Sequence, residues 1–154
     1  MNQGWRLGAA AAGVAVLLGV AVVAEAQNAP AQITQRQEAM KGQGAAVRTL
    51  TQMVRGEQPW NQQAARQAAT TINNTAKMIP SLFPQGTGAE AGVKTAALPA
   101  IWQNKADFDA KAKTLEEESA KLMAANDEAA VKAQFPNVGK ACGGCHENYR
   151  AKQQ

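Results

Sequence analysis

Between positions 31 and 55 the apolar residues return every three or four places. Ile33, Met40, Val47, Leu50 and Val54 fall on one helical stripe, and Gly44 shares that face. The period predicts an amphipathic helix from Ala31 to Arg55, weakened at Gly42 and Gly44 by about 1 kcal/mol each relative to alanine. Gly56 to Pro59 reads as a turn. A second helix is predicted from about Trp60 to Met78, with Ala65, Ala69, Ile72, Ala76 and Ile79 inward and Pro80 and Pro84 ending it. Ser81 to Leu98 is the longest irregular connection, long enough to cross the molecule rather than turn straight back. Pro99 suits the first turn of a third helix, whose stripe is Ile101, Phe108, Ala112, Leu115 and Leu122. Glu116, Glu117 and Glu118 read as its solvated face. Asn126 or Asp127 caps a last helix, with Val131, Phe135, Val138, Cys142, Cys145 and Tyr149 in register; Pro136 is expected to bend or break it locally. No alternating strand pattern occurs. Four amphipathic helices imply an all-α four-helix bundle, with a core thin enough that a bound group between the helices would supply much of its apolar volume.

Composition narrows the class. Aromatic residues make up only 5 % of the chain, and the region after residue 26 is rich in alanine, glutamine, lysine and glutamate, which is helix-forming material. The formal net charge is +4. That balance is too mild, and too little clustered, for a nucleic-acid partner. It suits a weak encounter with an acidic protein surface. The opening residues differ from the rest: one arginine, Arg6, then an almost wholly apolar run from Leu7 to Ala24, then Ala24-Glu25-Ala26. This is the pattern of a secretory signal peptide with a small-x-small cleavage site. The expectation is a signal segment over residues 1–26 and a single mature domain over 27–154, exported and without stable membrane insertion after cleavage. The other reading is an uncleaved anchor, since the run is long enough to span a bilayer.

The chemistry is concentrated in one pentad, Cys142-Gly143-Gly144-Cys145-His146, which holds both cysteines and the only histidine of the sequence. Cys-x-x-Cys-His is the signature of covalent haem attachment. Each thiol can add across a haem vinyl group to form a thioether, and the adjacent imidazole can reach the iron. On a helix, positions 142, 145 and 146 share a face, and the two glycines would let a porphyrin edge approach the backbone. Three other uses of such residues are weaker. A thioredoxin-like dithiol belongs beside a βαβ pattern, which is missing here. A structural zinc site needs four ligands. A disulfide between Cys142 and Cys145 would close too small a loop to stabilise much. No general acid–base pair is evident elsewhere, so the reading is not that of an enzyme.

With these residues in view, the sequence resembles the class II c-type cytochromes, the cytochrome c-prime superfamily. The resemblance rests on Arg36-Gln37 and Met40, on Leu82-Phe83-Pro84 with Gly86-Thr87, on Ile101-Trp102, and on Cys142 to His146 with Tyr149-Arg150. It covers about Ala31 to Lys152. It implies an antiparallel four-helix bundle in the periplasm with one covalently attached haem c near one end. Cys142 and Cys145 would be the thioether anchors and His146 the proximal iron ligand. Arg36 and Gln37 would lie near the haem propionates. Pro136 stands where relatives commonly have glycine, which argues against a straight fourth helix.

The resemblance splits on what covers the other side of the iron. In the low-spin branch a methionine of the first helix ligates it, and here the residue at that position is Met40. The Arg36-x-x-x-Met40 spacing resembles that branch, which implies a one-electron carrier with a His146–Met40 axial pair, serving redox partner proteins of unknown identity. In the other branch an apolar residue covers a five-coordinate iron that binds nitric oxide or carbon monoxide. Met53, Met78 and Met123 read as core or surface residues. The outward positions of the first two helices are mainly Gln, Thr, Arg and Lys, so the expected state is a monomer or a weak homodimer.

Overall fold

The protein is described by a computed structural model that covers residues 19–152, with side chains from Asn28 onward. Most of the expected signal segment therefore lies outside the described residues. Five helices are present among them: α1 (Gly19–Val54), α2 (Gln62–Met78), α3 (Ala100–Gln103), α4 (Lys105–Ala124) and α5 (Glu128–Tyr149). They contain no strand; Ala97 and Arg150 make one isolated antiparallel bridge. The four long helices form the bundle that the stripes predict. Every inward residue named above for the second helix is buried, Ala65 through Ala76 in α2 and Ile79 in the turn that follows it, and so are those of α4, Phe108 through Leu122.

Local chemistry sets several boundaries. Asn61 Oδ1 accepts the Ala64 N–H at 2.9 Å and Asp127 Oδ1 accepts the Ala130 N–H at 2.8 Å. These caps, each worth about 1 kcal/mol, start α2 and α5, and they choose Asp127 over Asn126. Three elements differ from expectation. The first helix begins upstream of Ala31 and carries Pro30 within it; the preceding Ala- and Val-rich stretch sustains helical geometry. The third helix is two pieces. Asn104, at φ −126° and ψ 48°, separates the one-turn α3 from α4. The break lets α3 follow the long connection, because the Trp102 indole N–H donates to Pro84 O at 2.8 Å. The last helix does not break: α5 is continuous through Pro136. Proline removes one helical N–H, but Val131 and Val138 anchor the flanking turns in the core. Gln134 Nε2 ties the same region to Glu118 O at 3.0 Å. Packing on both sides of the proline outweighs the lost bond.

The helices pack as a ring. α1 lies against α2, α2 against α4, and α4 against α5, while α1 and α5 touch only sparsely. Leu50, Ile72, Leu122 and Val138 fill the centre. Asn73 Nδ2 crosses from α2 to α4, donating to Ser119 Oγ at 3.0 Å and Glu116 O at 2.8 Å. At the other end Phe83, Phe108 and Tyr149 meet edge to face, with centroids 4.9 and 5.3 Å apart. The open seam between α1 and α5 lies over this aromatic end.

Candidate functional site

That seam is a cavity of about 470 Å³, and it gathers the six residues expected to hold a haem and its iron. Arg36, Gln37 and Met40 line it from α1; Cys142, Cys145 and His146 line it from α5. Residues three and four apart on a helix share a face, so the pentad presents two thiols and one imidazole together. Both cysteines are unpaired and half-buried. Burial pushes the Cys142 thiol up, and pushes Cys145 up to about 11. Burial, then the charge of Arg150, lowers the His146 pKa. The imidazole is therefore neutral at pH 7, with a lone pair available for a metal. The two glycines of the pentad are not crowded by other segments. A Cβ at Gly143 or Gly144 would meet no protein atom within 4 Å. Gly144 lines a separate groove on the outer α4–α5 face rather than the cavity.

Arg36 is 2 % exposed. Its guanidinium donates to Thr87 Oγ1 at 2.9 Å and Thr95 Oγ1 at 2.7 Å, and it lies 4.8 Å from the Phe83 ring centroid. Burial lowers its pKa, and Glu90 opposes that shift from a distance. A buried cation whose direct partners are hydroxyls is costly, and a carboxylate entering the cavity would offset that cost. Gln37 is exposed at the mouth and donates to Lys94 O at 2.9 Å. Met40 is half-buried one turn beyond Arg36 and packs against the core. Met53 is core, Met78 is 43 % exposed, and Met123 is partly buried.

Sequence reasoning missed two contributors and the role of a third. Thr87, singled out above only for the resemblance, and Thr95 both reach Arg36 from the long connection; nothing in the local sequence marks Thr95 or that contact. Gln43 is the other, a buried amide lining the cavity. Its signal was present, since a polar residue stands three places after Met40 on the inward face of the first helix.

The donor set fits a haem. The cavity volume falls in the range of cofactor sites, roughly 300–1,000 Å³. Its inner wall, including Ile79, Phe83, Ile101 and Leu115, is apolar. Two thiols, a neutral imidazole and a buried cation match vinyl groups, iron and propionates.

Tyr149 closes the floor. Its hydroxyl donates to Asp107 Oδ2 at 2.5 Å. That bond, with burial second, pushes its pKa up to about 12. The unfolded value is about 10. The neutral phenol thus contributes stability that is fully present below about pH 10 and is lost as pH rises through 12. Tyr149 is the only tyrosine, so carbon-13 NMR of its labelled ring reads this directly. The expected native midpoint is about 12, falling toward 10 in Asp107→Asn. A native midpoint near 10 would show the bond to be inconsequential.

Comparison with known proteins agrees with this geometry. The family model described as Cytochrome C' matches residues 31–150. A cytochrome c-556 of Agrobacterium fabrum is 36 % identical over 141 residues, covering 90 % of this chain and 94 % of that protein. The solved cytochrome c' of Rhodopseudomonas palustris superposes with a TM-score of 0.74 at 33 % identity, covering 80 % of this chain and 98 % of the other. A nitric oxide complex of a mutant cytochrome c prime from Alcaligenes xylosoxidans superposes with a TM-score of 0.72 at 25 % identity, covering 81 % and 97 %. The chain thus belongs to the cytochrome c' family of four-helix-bundle c-type cytochromes, whose cofactor is one covalently bound haem c.

Proposed function

We propose that this cytochrome carries single electrons with its haem iron held between His146 and Met40. The observation behind the proposal is that Met40 and His146 line one cavity from two different helices, α1 and α5. When bound, the haem supplies a one-electron ferric–ferrous couple. The chain's own residues do the rest. Cys142 and Cys145 fix the ring through thioethers, and His146 offers a neutral imidazole. Arg36 and Gln37 hold the propionate side. The Met40 thioether is a soft, neutral donor that favours the ferrous state.

A second reading has its own support, and the comparisons weigh more on its side. The solved relatives reported above are cytochromes c-prime, one of them a nitric oxide complex. In that reading the iron is five-coordinate, Met40 packs over its open face, and nitric oxide or carbon monoxide binds there. The ferric absorption spectrum of the purified protein separates the two. Methionine ligation gives a near-infrared sulfur-to-iron charge-transfer band and a low-spin iron; a high-spin iron without that band would sink the carrier reading.

The setting is also a proposal. Among the described residues no helix is long and apolar enough to cross a membrane. We place the mature protein in the periplasm after cleavage behind Ala26. Intact mass should show a chain starting at Gln27, and retention of residues 1–26 would favour an anchor. The redox partner is expected to present an acidic face, because Lys41, Arg48 and Arg150 line the cavity and, among the described residues, no carboxylate residue does. Raising ionic strength should then slow electron exchange with an acidic partner protein. A salt-independent rate would remove this surface from consideration.

A further inference from the structure

Gln43 stands apart from the other buried polar side chains. Arg36 holds Thr87 and Thr95, and Asn73 holds Ser119. Gln43 is 7 % exposed, and its Nε2 has no hydrogen-bond partner among the described residues. Buried donors are almost always paired, and one left unpaired calls for an explanation. Gln43 also lines the cavity, so a group that fills that space can supply the acceptor once the amide turns toward it.

Its position on α1 indicates which part. Arg36 marks the propionate side in the reading above. Gln43 lies seven residues beyond it, about 10 Å along the helix axis at 1.5 Å per residue. Met40 is only three residues away, a direct neighbour on the same face. In the reading that Met40 covers the sixth position of the iron, the Gln43 amide would stand beside that position and a turn or more away from the propionates.

We propose that the Gln43 amide N–H donates a hydrogen bond to the ligand in the sixth position of the haem iron. This makes Gln43 a positioning residue for that ligand, and it rests on the reading that α1 covers the sixth position. The ligand is the Met40 thioether when that is bound, and a small diatomic molecule when the position is open. With a diatomic ligand, the bond draws electron density onto the outer atom. It strengthens the iron–ligand link and weakens the bond within the ligand. No electron or atom is transferred.

The test uses the haem-loaded full chain and carbon monoxide as probe. Met40→Ala opens the sixth position whether or not Met40 ligates, so the outcome does not depend on the coordination. The infrared carbon monoxide stretch of ferrous Met40→Ala is compared with that of Met40→Ala/Gln43→Leu. Loss of the donor should move the stretch to higher frequency and speed carbon monoxide release about threefold to tenfold. A purely structural role for Gln43 would not move the stretch. Met40→Ala/Gln43→Asn withdraws the amide by one methylene while keeping it polar. It should also raise the frequency, which guards against a folding defect in the leucine variant. Carbon monoxide bound with an unchanged stretch and release rate in both double variants overturns the proposal on its own. Failure of Met40→Ala to bind carbon monoxide would instead show that another group holds the sixth position, and the reading that Met40 covers it would fall together with this proposal.

Discussion

Replacing Cys142 and Cys145 together by alanine is expected to release all haem on acid–acetone extraction, whereas the native protein should release none. Each single variant should keep its haem through the remaining thioether. The expectation follows from the two thiols lining one cavity beside His146. It also has a consequence for folding. The cavity of about 470 Å³ opens a bundle whose α1 and α5 scarcely touch. The occupant is therefore part of the core between these helices. A covalently held group cannot dissociate, whereas the double variant must bind haem by mass action alone. Losing a ligand present at a thousandfold over its dissociation constant costs about 4 kcal/mol. The double variant should therefore melt at clearly lower temperature when dialysed free of haem. Haem that stays on the double-alanine chain through extraction would refute the attachment sites.

Met40→Ala is the second large effect, because it acts on the iron itself. If Met40 is the sixth ligand, the substitution abolishes the near-infrared band, lowers the reduction potential and opens the iron to carbon monoxide. When the competent state is only about 1 % populated, apparent affinity is reduced about a hundredfold. Carbon monoxide should accordingly bind the alanine variant about a hundredfold more tightly than the native protein. The five-coordinate reading predicts something different: a native protein that is already high-spin, lacks the band, and binds carbon monoxide with an affinity that alanine barely alters. Titration of both proteins with carbon monoxide, followed in the visible spectrum, distinguishes these outcomes.

Much of the architecture was legible in the chain. The helical stripes were, because burial of a helix face imposes its 3.6-residue period on the sequence. Ile72, Phe108, Leu122 and Val138 lie in the core where that period puts them. The pentad was legible too, since adjacency on one helix is enough to bring two thiols and an imidazole to one face. The resemblance added Arg36, Gln37 and Met40, and the fold brings all three to the same cavity.

Tertiary structure decided the rest. Pro136 predicted a bend or a break in α5; the helix is not broken, because buried valines on either side and the Gln134 tie to α4 hold both flanking turns. Pro99 predicted one third helix, but Asn104 divides it, because Trp102 is bonded to a loop eighteen residues earlier. Arg36 is buried against Thr87 and Thr95, fifty-one and fifty-nine residues along the chain. The place of Gln43 on the inward face of α1 is readable in the sequence, but its lack of a partner is visible only in the packed bundle. Period and capping act between residues within a turn or two of one another, so the sequence alone determined the helices, their inward faces and the haem-binding pentad. Which polar groups are buried, what they touch and where a helix survives its proline depend on contacts between distant segments, and only the packed bundle determined those.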